Sequence, residues 1–188
     1  MPEPAEGDLI SLIESILLVS REPVTVRALT AVSGVPRKRV VEALAVLQSS
    51  LRRGIRLQLH DGSAQLVTAP ENSEFVQRYL GAAKPAALSR AALETLAIVA
   101  YRQPVTRAEI EVSRGVNSDR AVMTLLARDL ICEVGRRKVV GRPQEFGTTF
   151  AFLEHFGLAS LDELPPIESA GQPSAEAEDL GLRSVAER

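Results

Sequence analysis

The chain has 188 residues, 45% hydrophobic, with no Trp, 4% aromatics and a formal net charge of −2, which suits one medium core or two small ones built from Leu, Val, Ile and Ala. No stretch approaches the ~20 apolar residues of a membrane span, the start MPEPAEGDL lacks the basic and apolar regions of a secretory signal, and the lone Cys132 can form neither an internal disulfide nor a multi-cysteine metal site. The charge is uneven: residues 162–188 hold seven acids and two bases, net −5, leaving +3 on 1–161, short of the basic excess of a self-sufficient nucleic-acid binder.

Residues 1–7 are expected to be a flexible start. Asp8 is placed to cap a helix over about 9–20, with Leu9, Leu12, Ile13, Ile16 and Leu17 at helical spacing. Pro23 ends it. Thr25 then caps a short helix bearing Val26, Leu29 and Val32, closed by Gly34, where a missing Cβ permits a left-handed cap. Pro36 suits the first turn of a third helix, since its absent N–H costs nothing there, and Val40, Val41, Leu44, Leu47 and Leu51 give that helix its core face until Gly54 stops it. The period then changes to two. Ile55, Leu57 and Leu59 alternate, Asp61-Gly62 makes a tight turn, and Ala64, Leu66 and Thr68 alternate back, a strong hairpin signal. A helix over about 71–80 is expected to close the unit, and 81–87 (GAAKPAA) reads as a linker.

The pattern then recurs. The segment from Arg21 aligns without gaps to that from Arg102 at a constant offset of 81, matching Pro23 to Pro104 and Gly34 to Gly115. Two copies fall short of the roughly three a solenoid needs, so a tandem pair of small domains is expected. Ser89 caps the second copy's first helix, which carries Leu93, Leu96, Ala97 and Ala100; Thr106 and Ser118 cap its second and third. Ile131 to Arg136 and about 145–148 form the second wing, and a short helix with Phe152, Leu153 and Phe156 stops at Gly157. The predicted fold is mostly α with small β-hairpin wings: two tandem winged-helix domains over 8–80 and 88–161. Residues 162–188 follow as an acidic disordered tail.

The strings ETLAIVAYRQPVTRAEIE and GRPQEFGTTFAFLEHFGL are long and unlike generic winged-helix sequence. Over roughly 8–167 the chain resembles segregation and condensation protein B, a non-SMC subunit of the bacterial SMC–kleisin condensin. Phe146 stands where that family commonly has Tyr, which removes a hydroxyl and keeps the apolar body. The resemblance implies two winged-helix domains, homodimerisation mainly through the amino-terminal one, binding to the kleisin (segregation and condensation protein A), and contact with the SMC ATPase through it. A cytoplasmic, nucleoid-associated, non-catalytic adaptor is therefore expected, with no cofactor and no membrane contact.

Candidate surfaces follow. Leu9, Ile10, Ile13 and Leu17 lie on a helix whose apolar residues cover about half its circumference, wider than one core-facing stripe needs, so a dimer contact, or cover by the neighbouring domain or the loops, is expected. Gly141, Arg142, Pro143, Phe146, Gly147, Thr148 and Thr149, in or beside the second wing, are candidates to face the kleisin. Phe152 and Phe156, i and i+4, fit either that contact or a seal on the core. Arg37, Lys38 and Arg39 start the first copy's reading helix, and Arg136, Arg137, Lys138 and Arg142 lie on the second wing. They could touch DNA weakly or pair with nearby acids. Asn117, Ser118 and Asp119 at the head of the second copy's third helix make a poor phosphate-facing end. The runner-up function is a winged-helix DNA-binding transcription regulator. An enzyme fits worst: the sequence has no GxxxxGK[ST], HExxH, GxSxG or CxxC. His60 and His155 read as surface residues, Cys132 as a small buried hydrophobe, and Glu109 and Glu111 as lying on different helix faces.

Overall fold

The structure, a computed structural model, describes residues 5–51, 53–81 and 86–166. It contains two units of the same design, each with its own core. The first runs α1 (Glu6–Val19), β1 (Val24–Thr25), α2 (Val26–Ser33), α3 (Arg37–Ser50), β2 (Ile55–His60), β3 (Ser63–Thr68), a 3-10 turn (Pro70–Asn72) and α4 (Ser73–Leu80). The second runs α5 (Arg90–Arg102), β4 (Val105–Thr106), α6 (Arg107–Arg114), α7 (Asp119–Ala127), β5 (Ile131–Arg136), β6 (Gln144–Thr148), α8 (Phe150–Phe156) and a 3-10 turn (Leu161–Glu163). Each sheet is antiparallel, ordered β1-β3-β2 and β4-β6-β5. Helix, short strand, two helices and a hairpin that pairs back onto the short strand is the order of a winged helix.

The repeat seen in sequence is repeated in structure. β1 and β4, and α2 and α6, occupy positions related by the same offset of 81. Thr25 and Thr106 both cap, accepting from the amides of Ala28 and Glu109; in the second copy Glu109 reaches back to the Thr106 N–H at 2.8 Å, completing a capping box. Gly34 and Gly115 end these helices at φ 71° and 70°, a conformation that favours glycine. Asp61 and Gly62, at φ 44° and 66°, turn the first wing.

Packing decides which apolar positions turn inward. Leu9, Ile13 and Leu17 of α1 meet Leu29 of α2, Val40, Leu44 and Leu47 of α3, and Leu57 and Ala64 of the hairpin. In the second unit Leu96 and Val99 meet Ile110, Val122, Leu125, Ile131, Phe146, Phe152 and Leu153. Each such side chain contributes about 1.5–3 kcal/mol on burial, and that is what holds units too small to rely on helix propensity.

Several local readings are corrected. α1 begins at Glu6, before Asp8, and its cap position, Ala5, makes no side-chain hydrogen bond; Asp8 sits in the first turn, where its charge complements the helix dipole. Residues 5–7 of the expected flexible start thus belong to the cap and helix, and 1–4 lie outside the described residues. Ser118 does not cap α7: its N–H donates to Glu111 and its hydroxyl to the Val116 carbonyl. On α5, Thr95 and Val99 face the core and Ala97 faces out. α4 closes nothing, since none of its residues is buried. The ordered chain also passes Asp162: Ser160 accepts from its N–H, and Leu161 and Leu164 pack on the second core. Of the expected linker, 82–85 lie outside the described residues, as do 167–188 of the expected acidic tail.

Candidate functional site

Several of the basic residues pair with acids in their own neighbourhood. On the second wing Arg137 donates to Glu145 at 2.7 Å, to the Pro104 carbonyl at 3.2 Å, and to Glu109. Those two carboxylates push its pKa further up, Glu109 foremost. Glu109 in turn is held at about 2, first by the Thr106 backbone N–H, then by Arg137 and the Thr106 hydroxyl. Arg136 pairs with Glu133 at 3.2 Å, while Lys138 and Arg142 are exposed. At the head of α3, Arg37 and Lys38 are exposed, Lys38 lying 3.9 Å from Glu42, and Arg39 is half-buried. At the head of α7, Arg107 pairs with Asp119. Cations held this way have less to offer a phosphate backbone.

The residues expected to face the kleisin separate into two groups. Phe146, Gly147, Thr148 and Phe152 are buried and present no face to a partner. Phe146 and Phe152 belong to the second core. Thr148 donates through N–H and Oγ1 to Gln103 Oε1, at 2.7 and 3.1 Å. A Cβ on Gly147 would lie 2.8 Å from Val134 Cγ1 and 2.9 Å from Gln103 Oε1. Thr149 is half-buried and caps α8. Gly141 (φ 83°) and Arg142 (φ 39°) form the exposed wing tip beside half-buried Pro143, and Phe156 is 40% exposed, its ring 5.0 Å from Phe152.

The dimer candidates divide in the same way. Leu9, Ile13 and Leu17 are committed to the first core, and Ile10 is the member of that set with surface to spare. The exposed apolar side chains of α1 are instead Leu18 and Val19. The larger uncovered face belongs to α4, where Phe75 is 65%, Leu80 67% and Tyr79 90% exposed. Spacing of Phe75 and Tyr79 at i and i+4 was visible in the sequence; its outward direction was not.

A third face escaped the sequence reading. The outer surface of α6, α7 and the turn between them exposes Val112, Val116 and Met123. At the offset of 81 these correspond to Ala31, Val35 and Glu42 of the first unit, so on the third helix of the second unit Met123 stands where the first unit carries an acid. Between the units lies a cleft of about 780 Å³ whose walls include His60, Asp61, Cys132, Thr148 and Phe150. Burial, then Asp129 and Asp61, push the Cys132 thiol up, away from a reactive thiolate. Burial, then Arg128, lower the His155 pKa.

The family profile of the segregation and condensation complex subunit ScpB matches residues 11–167. The chain belongs to the segregation and condensation protein B family. Segregation and condensation protein B of Clostridium botulinum (strain 657 / Type Ba4) is 44% identical over 161 residues, 84% of this chain and 83% of that one. The family member from Symbiobacterium thermophilum is 47% identical over 160 residues, 84% of this chain and 73% of that one. Among solved structures, ScpB from Mycobacterium tuberculosis is 41% identical, covering 83% of this chain and 99% of its own, with a TM-score of 0.41. No helix among the described residues is long and apolar enough to cross a membrane.

Proposed function

We propose that this chain is a non-catalytic adaptor of the SMC–kleisin complex in chromosome condensation and segregation, acting in the cytoplasm on the nucleoid. The domain over 8–80 pairs with a second copy, and the domain over 88–161 offers its outer faces to the kleisin, which links it to the SMC ATPase. The observation that carries this reading is α4, an amphipathic helix with Phe75, Tyr79 and Leu80 exposed and no residue buried. An apolar face without a core beneath it asks for a protein partner. Family membership supports this choice of complex, and Leu18 and Val19 are further exposed apolar side chains of the same domain.

Docking of the kleisin is assigned to the exposed candidates Gly141, Arg142 and Phe156 with half-buried Pro143 beside them, together with Val112, Val116 and Met123. Apolar anchors of this kind carry protein interfaces. The transcription-regulator reading loses ground because Arg107, Arg136 and Arg137 are already paired and the head of α7 is acidic. Weak nonspecific DNA contact would fall to the exposed Arg37, Lys38 and Lys138.

The test is co-elution of the full chain with its kleisin at high salt, beside a mobility shift on random duplex DNA. A complex that survives high salt, and is lost in Met123→Asp with helicity unchanged, is the expected result. Four phosphate contacts would instead give a salt slope of roughly −3.6, weakening binding about 150-fold between 50 and 200 mM. Tight DNA binding with that slope and no kleisin capture would overturn the proposal.

A further inference from the structure

The sheet order leaves β2 at an edge, and an open edge is a template for another backbone. Here three consecutive β2 residues are taken up by the second domain. Leu59 N–H donates to the Ala159 carbonyl at 2.9 Å. Gln58 donates its side-chain amide to the Leu158 carbonyl at 2.8 Å. His60 donates through Nε2 to the Thr148 carbonyl at 2.7 Å, and its ring meets Phe150 edge-on at 5.5 Å.

Gln58 is the informative residue. On a two-stranded wing it alternates with Leu57 and Leu59 and should face water, yet it is only 2% exposed. A buried amide is costly unless its groups are bonded, and here both are: Gln65 donates to Gln58 Oε1 at 3.0 Å and also to Glu154 of α8 at 2.9 Å. Gly157 approaches the first domain so closely that a Cβ there would lie 3.1 Å from Pro70. The contact is nevertheless thinly packed. Clefts of about 260 and 430 Å³ border the same segment, the first beside Pro70 and Gly157, the second beside Gln48 and Ser160.

We infer that residues 157–160 are a latch that sets the relative orientation of the two winged-helix domains through one backbone hydrogen bond on the free edge of β2, with Gln58 as its clasp. Hydrogen bonds to main-chain carbonyls that border open clefts are replaceable by water, so the latch opens without unfolding either core. A partner that touches both domains binds one latch state in preference to the other, and so shifts the equilibrium by its differential affinity. The latch belongs to the chain itself and does not depend on which partner docks.

The test uses the full chain without a partner. Amide exchange at Leu59 reports the latch, and Val26, whose N–H donates to the Gly62 carbonyl at 2.8 Å inside the first domain, reports the fold. Gln58→Glu sets a carboxylate against the Leu158 carbonyl; Gln58→Ala removes the clasp without adding charge. Both variants should speed Leu59 exchange about tenfold or more and enlarge the radius of gyration in small-angle scattering, with Val26 protection retained. Leu59 exchanging freely in the unmodified chain would overturn the inference. So would two variants whose exchange and scattering match the unmodified chain, or a Gln58→Ala in which Val26 loses protection together with Leu59.

Discussion

Replacing Gly147 by Ala adds one methyl at a point where two groups already stand too close. The new Cβ would lie 2.8 Å from Val134 Cγ1 and 2.9 Å from Gln103 Oε1, so one or both must retreat by about 0.5 Å to reach ordinary contact. Val134 is half exposed and can rotate away. Gln103 is less free, because its Oε1 accepts the Thr148 N–H at 2.7 Å and the Thr148 hydroxyl at 3.1 Å. Crowding of this kind costs about 1–3 kcal/mol, and leaving the buried Thr148 amide without a partner costs a further ~1–3 kcal/mol. Partial relaxation of Val134 brings the expected total to roughly 3 kcal/mol. The assay is urea denaturation followed by far-UV circular dichroism on Gly147→Ala, Gln103→Ala and the double variant. Gly147→Ala should cost at least ~1 kcal/mol less in the Gln103→Ala background, because the colliding oxygen is gone. Equal costs in both backgrounds would refute the reasoning.

Phe152→Ala should destabilise the second domain by about 3–5 kcal/mol, as a fully buried aromatic does, whereas Phe156→Ala, at a side chain 40% exposed, should cost about 1 kcal/mol; equal urea midpoints would contradict the core assignment. The Glu109 carboxylate, held at about 2 against an unfolded value near 4.5, stabilises the fold fully above that unfolded value and progressively less as pH falls toward 2. The stability gap between the unmodified chain and Glu109→Gln, limited to roughly 0.5–1 kcal/mol by solvent screening, should be flat from pH 7 to 5 and shrink below pH 4.5. A gap that grew on acidification would have the wrong sign.

What the sequence disclosed was whatever local chemistry decides. Thr25 and Thr106 cap because a hydroxyl before a helix finds the free N–H groups of its first turn, and Gly34 and Gly115 end helices because only their backbone turns left at little cost. Asp61-Gly62 turned the wing as expected, and the offset of 81 carried the architecture of the first unit into the second. What stayed hidden was decided by neighbours distant in sequence. Phe146 read as an interface aromatic and Phe152 as fitting either an interface or the core until the second core closed around both, and Gln58, which drew no notice between Leu57 and Leu59, is covered by residues 157–160. Ser118 and Asp8 had the composition of caps; Glu111 took the Ser118 amide, and α1 began before Asp8. α4 was expected to close its unit, and no pattern could show that its own domain leaves its apolar side chains uncovered.

Sedimentation equilibrium of the full chain at micromolar concentration, with and without Tyr79→Asp, bears most directly on whether these domains exist to be docked upon. A mass twice the 20.3 kDa of one chain, falling to a single chain in the variant while its helicity is unchanged, is the predicted result. A single-chain mass for the unmodified protein at every concentration, or a pair indifferent to the charge placed on α4, would contradict it.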